Sequence, residues 1–417
     1  MNVGIVTTWF ERGASYVSRQ FEAVLSKKHK VFIYARGGEH YAIGDPIWDK
    51  DNVTWGARRT ASFTGTLIKK NDFLRWIKEN NIEIILFNEQ EWWPPVLWCN
   101  DLKIPTVCYV DYYKDNTIPL FSAYSALICN TRRHMSAFEW HSNAFYVPWG
   151  TDTNVFKPEK SDFSLIDTDE ITFFHSCGMD PYRKGTDIVL KAAELINEKF
   201  KLIIHSQVNI KSLFNEEICK IIDKLETCAK LVIITRTVHA PGLYHMGDVY
   251  LYPSRLEGIG LTVSEARACG LVPVVSNNAP MNEFVNQDIG YLIDVSNYYS
   301  RYDGYYWPEC LPDYQSLRNI MIDICKNKGK ISELKKRNYE FALQNLNWDL
   351  NSEKLNEIFD QIKYVPLKSP VIEMITRFEG TGFRRFYKKY LKYYWIIYPL
   401  LRIAKFRSEI FGKLKNS

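Results

Sequence analysis

Two glutamates eight positions apart, Glu257 and Glu265, bracket Gly258, Gly260 and the start of a helical pattern. An apolar run, Val249-Tyr250-Leu251-Tyr252, precedes them and has the character of a buried strand. A strand that turns through glycines into a helix lets backbone N–H groups approach an anion closely. The two carboxylates can accept hydrogen bonds from sugar or ribose hydroxyls. Carbohydrate joined to phosphate is the ligand chemistry that this pattern suits.

A second stretch has complementary chemistry. Cys177-Gly178-Met179-Asp180-Pro181-Tyr182-Arg183-Lys184-Gly185-Thr186-Asp187 follows an apolar run at 171–176 and leads into a helical pattern at 186–197. Arg183 can grip a diphosphate with its planar fork and Lys184 as a point charge. Each feature also has a plainer account: a solvated basic loop, a tight turn at the glycines, and a surface carboxylate at Glu265.

The elements that must position these residues alternate in type. Buried strands are expected at 3–7, 31–35, 82–87, 106–110 and 127–129, and a helix at 16–26. After Val147-Pro148-Trp149-Gly150 the pattern restarts. It has strands at 171–176, 201–205, 231–235, 249–252, 272–276 and 291–293, with helices between them such as 215–226. Helical patterns follow at 316–326, 331–344 and 348–362. Strands alternating with helices predict two α/β, doubly wound Rossmann-like domains. Residues 148–170, polar and with two prolines, are the expected linker.

The block from Tyr252-Pro253-Ser254-Arg255-Leu256-Glu257 to Glu265-Ala266-Arg267-Ala268-Cys269-Gly270-Leu271-Val272-Pro273 resembles the signature of the retaining glycosyltransferases of family 4, which have the GT-B fold. The resemblance is strong over about 171–293, weaker over 1–150 and absent beyond about 362. It implies a transferase that moves a sugar from a nucleotide-sugar donor to a glycan or lipid-linked acceptor with retention of anomeric configuration. It implies an acceptor-side domain at 1–147, a hinge at 148–170 that closes a cleft and excludes water, and a donor domain at 171–345. A helix at 346–362 would return to the first domain, ahead of a tail at 363–417. Glu257 would bind donor sugar hydroxyls, Glu265 the ribose, and the N–H groups of Gly258, Ile259, Gly260 and Leu261 the sugar and diphosphate. Lys184 matches the family's phosphate-binding lysine; Met179 stands where the family often has arginine. Gly13 and Ala14, in the loop Thr8–Tyr16, match the glycine-containing loop that faces the donor diphosphate. Asp111, where many members carry histidine, would orient the acceptor hydroxyl or act as a base; capping of the next turn is its plainer role. Asn88 to Glu91 and Trp92-Trp93 are further candidates for an acceptor pocket. With these groups no cofactor and no metal is expected. A nucleotide-sugar epimerase or a non-catalytic nucleotide-sugar-binding protein are the competing functions.

The composition narrows the setting. Of 417 residues, 46% are hydrophobic and 24% charged, as in ordinary globular proteins. The net charge of +5 hides a strong asymmetry: from Lys363 onward 13 Lys/Arg face only 3 Asp/Glu, so the rest of the chain is acidic. In the tail, Phe383, Phe386, Tyr387, Tyr390, Leu391, Tyr394, Ile397 and Tyr398 recur at helical spacing, with Arg384, Arg385, Lys388, Lys389 and Lys392 opposite them. Such a helix over 383–398 suits an anionic membrane surface. Packing on the protein is the second possibility, and phosphate contacts to nucleic acid the least favoured, so no nucleic-acid partner is expected. The longest uncharged apolar run in the tail, 393–401, is far short of the roughly 20 residues a spanning helix needs. Nine cysteines without a CxxC pair, and no basic leader before the first strand, point to a cytoplasmic, peripherally membrane-bound protein. Asp167-Thr168-Asp169 has the look of a metal-binding DxD, but it lies in the linker and is expected to be solvated.

Overall fold

Short runs rich in Val, Ile, Leu and aromatic residues form two all-parallel sheets, as expected of strands buried on both faces. The computed structural model describes residues 1–36, 41–57, 66–160, 162–285, 288–393, 395–397 and 399–400. Two units separate by their internal contacts. Unit 1 comprises Met1–Cys129, His134–Tyr146 and the chain from Glu353; unit 2 comprises Asn130–Arg133 and Val147–Ser352.

The sheet of unit 1 has seven strands: β1 (Asn2–Thr7), β2 (Lys30–Ala35), β3 (Val53–Trp55), β4 (Ile84–Asn88), β5 (Thr106–Tyr109), β6 (Ala126–Cys129) and β7 (Ala144–Tyr146). Their spatial order is β3-β2-β1-β4-β5-β6-β7. In unit 2, β8 (Ile171–Gly178), β9 (Phe200–Ser206), β10 (Leu231–Thr235), β11 (Val249–Tyr252), β12 (Val272–Ser276) and β13 (Tyr291–Ile293) lie in the order β10-β9-β8-β11-β12-β13. Both orders reverse direction next to the first strand of the unit: between β1 and β4, and between β8 and β11. In a doubly wound sheet that switch point is where ligands bind, beyond the carboxyl ends of the strands.

Alternation along the strands builds the core of unit 2. Phe173 on β8 joins one cluster with Ile188, Val189 and Ala192 of the helix Thr186–Glu194. Phe174, its neighbour, points to the other face and joins Val263 and Ala266 of the helix Leu261–Ala268. The helices that start at the two glycine turns are therefore fixed on opposite faces of the same pair of strands. This is the GT-B architecture of two Rossmann-like units followed by a helical C-terminal region.

Two expectations about helices need correction. The pattern at 348–362 is not one helix but two, Trp348–Asn351 and Lys354–Gln361. Buried Ser352 breaks it: its hydroxyl donates to Trp348 O at 2.6 Å, the local competition that makes serine a poor interior helix residue. The tail helix predicted over 383–398 is interrupted: after a short turn at Gly382–Arg384 it runs over Arg385–Lys392, bends at Tyr393, and residues 395–397 and 399–400 are again helical. Tyr394, Tyr398, the side chain of Lys388 and residues 401–417 lie outside the described residues. One residue of its charged face departs from the spacing. Arg384, assigned to the charged face, is half-buried against Glu379, while Phe383 and Phe386 on the apolar face are 60% and 56% exposed.

Candidate active site

At the switch point of unit 2 the loops after β8 and β11 come into direct contact. Arg255 N donates to Arg183 O at 2.8 Å, which ties one loop to the other. The close approach depends on Gly185. It has φ +75°, in the left-handed region, and a Cβ there would sit 2.0 Å from Pro253 O. Gly185 and Gly260 (φ +77°) occupy the positions before the helices Thr186–Glu194 and Leu261–Ala268, and neither helix start has a side-chain cap. Thr186 N donates to Pro181 O at 3.0 Å, and the remaining first-turn N–H groups of the two helices are left without a side-chain cap.

The side chains converge on Glu257. Its Oε1 accepts from Ser254 Oγ at 2.6 Å, Lys184 Nζ at 2.7 Å, Arg183 Nη1 at 2.9 Å and the Tyr252 hydroxyl at 2.9 Å. Burial alone would raise the carboxyl pKa, but Lys184 and then Arg183 outweigh it and hold the group at about 2. Burial pulls the Lys184 ammonium down, against the opposing pull of Glu257. The Arg183 guanidinium is raised, chiefly by Glu257. Arg183 Nε also donates to Asp180 Oδ2 at 3.3 Å, so two cations face two carboxylates, Glu257 buried and Asp180 exposed. Gly258, beside it, is exposed, and a Cβ there would meet nothing within 4 Å. Ile259 and Gly260 are buried, and Leu261 opens the helix half-buried.

Glu265 sits one turn into that helix and accepts from the Tyr244 hydroxyl at 2.6 Å. Burial raises its pKa; the Tyr244 hydrogen bond and the charge of Lys184 oppose the rise. A ladder of rings joins the two glutamates: Tyr244 meets Tyr250 edge-on at 5.7 Å, and Tyr250 stacks on Tyr252 at 5.4 Å. Lys184 therefore acts on both carboxylates.

The corresponding end of the unit 1 sheet is built differently. Gly13 is the first residue of the helix Gly13–Leu25, and a Cβ on it would meet nothing within 4 Å. Ala14 O accepts from Asn88 Nδ2 at 2.9 Å, which ties the loop after β1 to the end of β4. Asp111 lies two residues beyond β5, half-buried, and accepts from Tyr112 N at 2.7 Å. Burial, and then Glu89, push its pKa well above the usual carboxylate range, with Glu91 adding to the rise and Arg36 opposing it. Trp92 and Trp93 are buried, with Trp93 edge-on to Phe121 at 5.4 Å.

Residues 156–300 match the family model of the glycosyl transferases, group 1. The match spans the turn after β8 and the whole block from Glu257 to Glu265. Solved structures similar to the chain include HepE from Anabaena in complex with UDP and glucose. It is 15% identical, aligned over 86% of this chain and 99% of its own, with a TM-score of 0.61. A glycosyltransferase from Rickettsia africae is 14% identical over 87% and 98% of the two chains, TM-score 0.67. Sucrose-phosphate synthase from Thermosynechococcus elongatus is 16% identical over 87% and 98%, TM-score 0.65. None of the curated proteins matches the chain by sequence.

Several participants carry no motif signal. Arg133, more than 120 positions before Glu257, belongs to unit 2 and donates to the backbone carbonyls of Glu257 and Ala279, holding the glycine loop from behind. Arg255, 2% exposed, makes a bidentate pair with Asp187 at 2.9 and 2.7 Å and lies 4.0 Å over the Tyr182 ring. Buried His175 accepts or donates at both ring nitrogens, to Leu251 O and Thr186 Oγ1, and burial lowers its pKa to about 4. Tyr252 and Ser254 lie inside the motif, and their part in holding Glu257 follows only from the fold. Met179 is 73% exposed on the same loop. In the 148–170 segment Asp167 accepts from Asp169 N, a local turn. Among the described residues no group of three or more His, Cys, Asp or Glu side chains has a metal-binding arrangement.

Proposed function

We propose that the chain is a glycosyltransferase that moves a sugar from a nucleotide-sugar donor to an acceptor hydroxyl with retention of configuration. The observation that carries this is the convergence of Arg183 and Lys184 on Glu257, beside two helix starts without side-chain caps at the switch point of unit 2. The diphosphate lies against Lys184, Arg183 and the N–H groups at Gly258–Leu261, where charge develops as the nucleoside diphosphate leaves. Glu257 is kept ionised by its cations; its Oε2 accepts from donor sugar hydroxyls, while Oε1 fixes its orientation. Glu265 accepts from the ribose. The acceptor hydroxyl attacks the face from which the diphosphate departs and passes its proton to a donor phosphate oxygen, so no protein nucleophile is used. Asp111 orients that hydroxyl. The leaving diphosphate is neutralised by protein groups, and no metal is assigned a step.

The tail places the enzyme at a membrane surface. Phe383, Phe386 and Trp395 are exposed beside Arg385, Lys389 and Lys392. Among the described residues no helix is long and apolar enough to cross a membrane. Lipid-linked or polysaccharide acceptors at the inner face of a membrane fit this placement.

A panel of nucleotide sugars, screened by thermal stabilisation and followed by product analysis with and without acceptor, tests the activity and separates transfer from epimerisation. Lys184→Ala and Glu257→Ala are each expected to lower turnover by about 10²–10³, the cost of losing one charge-stabilising group. Near-normal transfer in both variants would defeat the assignment. Co-sedimentation with anionic liposomes tests the tail: salt-sensitive pelleting is expected, and its absence removes the membrane placement.

A further inference from the structure

The tail does more than offer charge to a surface. The helix Ser369–Glu379 seats Ile375, fully buried, on unit 1, and Glu379 Oε1 accepts from Trp93 N at 3.1 Å. Arg384 then donates to Glu379 at 2.9 Å and to Glu91 O at 3.0 Å. Between this clamp and the Trp92–Trp98 segment lies a cavity of about 750 Å³, within the range of small-molecule sites. Its apolar lining includes Ile68, Trp92, Leu97, Trp98, Ile375 and Leu391. Five cations also line it, Lys69, Lys70, Arg384, Arg385 and Lys392, against the single carboxylate of Glu379, which Arg384 already pairs. Four of the five, all but Arg384, are exposed.

A second, smaller cavity of about 200 Å³ shares Arg384 with the first. Its lining is mixed: Gln90, Glu91, Lys114, Asn116 and Thr117 offer hydrogen bonds, and Trp93, Phe121 and Phe378 offer ring faces of the kind on which a sugar can stack. Tyr112, which also lines it, directly follows Asp111 in the chain. An apolar trough with a cationic rim thus meets, at Arg384, a smaller chamber of polar and aromatic side chains within unit 1.

We propose that unit 1 takes an acceptor whose sugar is carried, through a phosphate, on an apolar chain. The chain lies in the larger cavity, the phosphate against the lysines and arginines of its rim, and the sugar in the smaller chamber. This rests on the glycosyl-transfer reading above and names its acceptor class. The charge excess selects an anionic head over a neutral one, and the tryptophan and leucine lining selects a hydrocarbon tail over a free sugar phosphate.

Calorimetric titration of the full chain with monomeric decyl phosphate, with decanol and with inorganic phosphate tests the proposal. Decyl phosphate is expected to bind at least tenfold more tightly than either of the others. The triple variant Lys69→Glu, Lys70→Glu, Lys392→Glu, all at exposed positions, should lose at least tenfold of that affinity, while its affinity for nucleoside diphosphates is unchanged. Leu391→Asp should weaken decyl phosphate and leave inorganic phosphate as it was. Equal binding of decyl phosphate and decanol, or a triple variant that binds like the parent, overturns the proposal. So does binding to phosphatidylglycerol vesicles without binding of monomeric decyl phosphate, which would make the cations a surface patch. Loss of nucleoside diphosphate binding in the parent chain, with decyl phosphate still bound, would bring down the transferase reading and leave a lipid-phosphate site standing.

Discussion

The two sheets share a strand order and a switch point, yet their carboxyl ends carry opposite electrostatics. In unit 2 the buried carboxylate of Glu257 is surrounded by donors and held at a pKa of about 2. In unit 1, Asp111 lies near Glu89 and Glu91, and burial with that repulsion drives its pKa up. One end therefore keeps a carboxylate ionised between two cations; the other holds a carboxylate, Asp111, that resists ionising. The backbones differ in the same sense. The turn after β8 is drawn tight by Gly185, which approaches Pro253 O, whereas Gly13 after β1 stands in open space. One fold thus supplies a rigid anion cradle in one unit and a looser acidic margin in the other.

The largest expected effect tests the backbone half of that contrast. Gly185→Ala must place a Cβ on a left-handed residue and against a backbone oxygen that cannot swing aside. Left-handed strain of about 1–2 kcal/mol adds to about 1–3 kcal/mol for forced repacking, so a loss of about 4 kcal/mol in the stability of unit 2 is expected. Gly13→Ala, with nothing near its Cβ, should stay within about 0.5 kcal/mol. Denaturant melts of the two variants measure this. Equal losses would show that the two turns are not built differently.

The next test acts on the charges. Glu257 has its folded pKa lowered, so the stability from its ion pairs is present above its unfolded value of 4.5 and is lost as pH falls toward about 2. The depression is worth roughly 3 kcal/mol at about 1.4 kcal/mol per tenfold change in proton affinity. Glu257→Gln should therefore be less stable than the parent by up to about that amount at pH 7, and the gap should close between pH 4.5 and 2. A gap that is the same at pH 3 and pH 7 would mean that Glu257 is held by hydrogen bonds alone.

How much of this was legible in the sequence follows from what kind of force positions each residue. Strands such as Val249–Tyr252 and Val272–Ser276 announce themselves because burial on both faces requires unbroken apolar runs. Lys184, Glu257 and Glu265 stand out because they are polar groups next to such runs, with glycines beside them. The edge strands Val53–Trp55 and Ala144–Tyr146 were missed: three half-buried residues carry too little apolar signal to mark a strand. Arg133 was missed for a different reason. It reaches the glycine loop only because the chain assigns Asn130–Arg133 to unit 2, and nothing local encodes that. In the tail, spacing identified charged and aromatic positions but misassigned Arg384. Its partners, Glu379 and the carbonyl of Glu91, are set by a helix turn and a tertiary contact rather than by a heptad face.

The smallest expected effect probes the acidic end of unit 1, and its sign is opposite to that of Glu257. Asp111 has its folded pKa raised, so the folded protein is favoured while the group is protonated, below about 3.8, and pays as pH rises through the folded value. Asp111→Asn removes that cost while keeping an acceptor for Tyr112 N. The variant should match the parent near pH 3.5 and become more stable than it as pH rises, as thermal melts at a series of pH values would show. Activity should move the other way if Asp111 positions the acceptor hydroxyl, because an amide oxygen is a weaker acceptor for that hydroxyl than a carboxylate. A variant that is both less stable and less active at every pH would show that Asp111 is a capping residue, and the opposition between the two sheet ends would then rest on unit 2 alone.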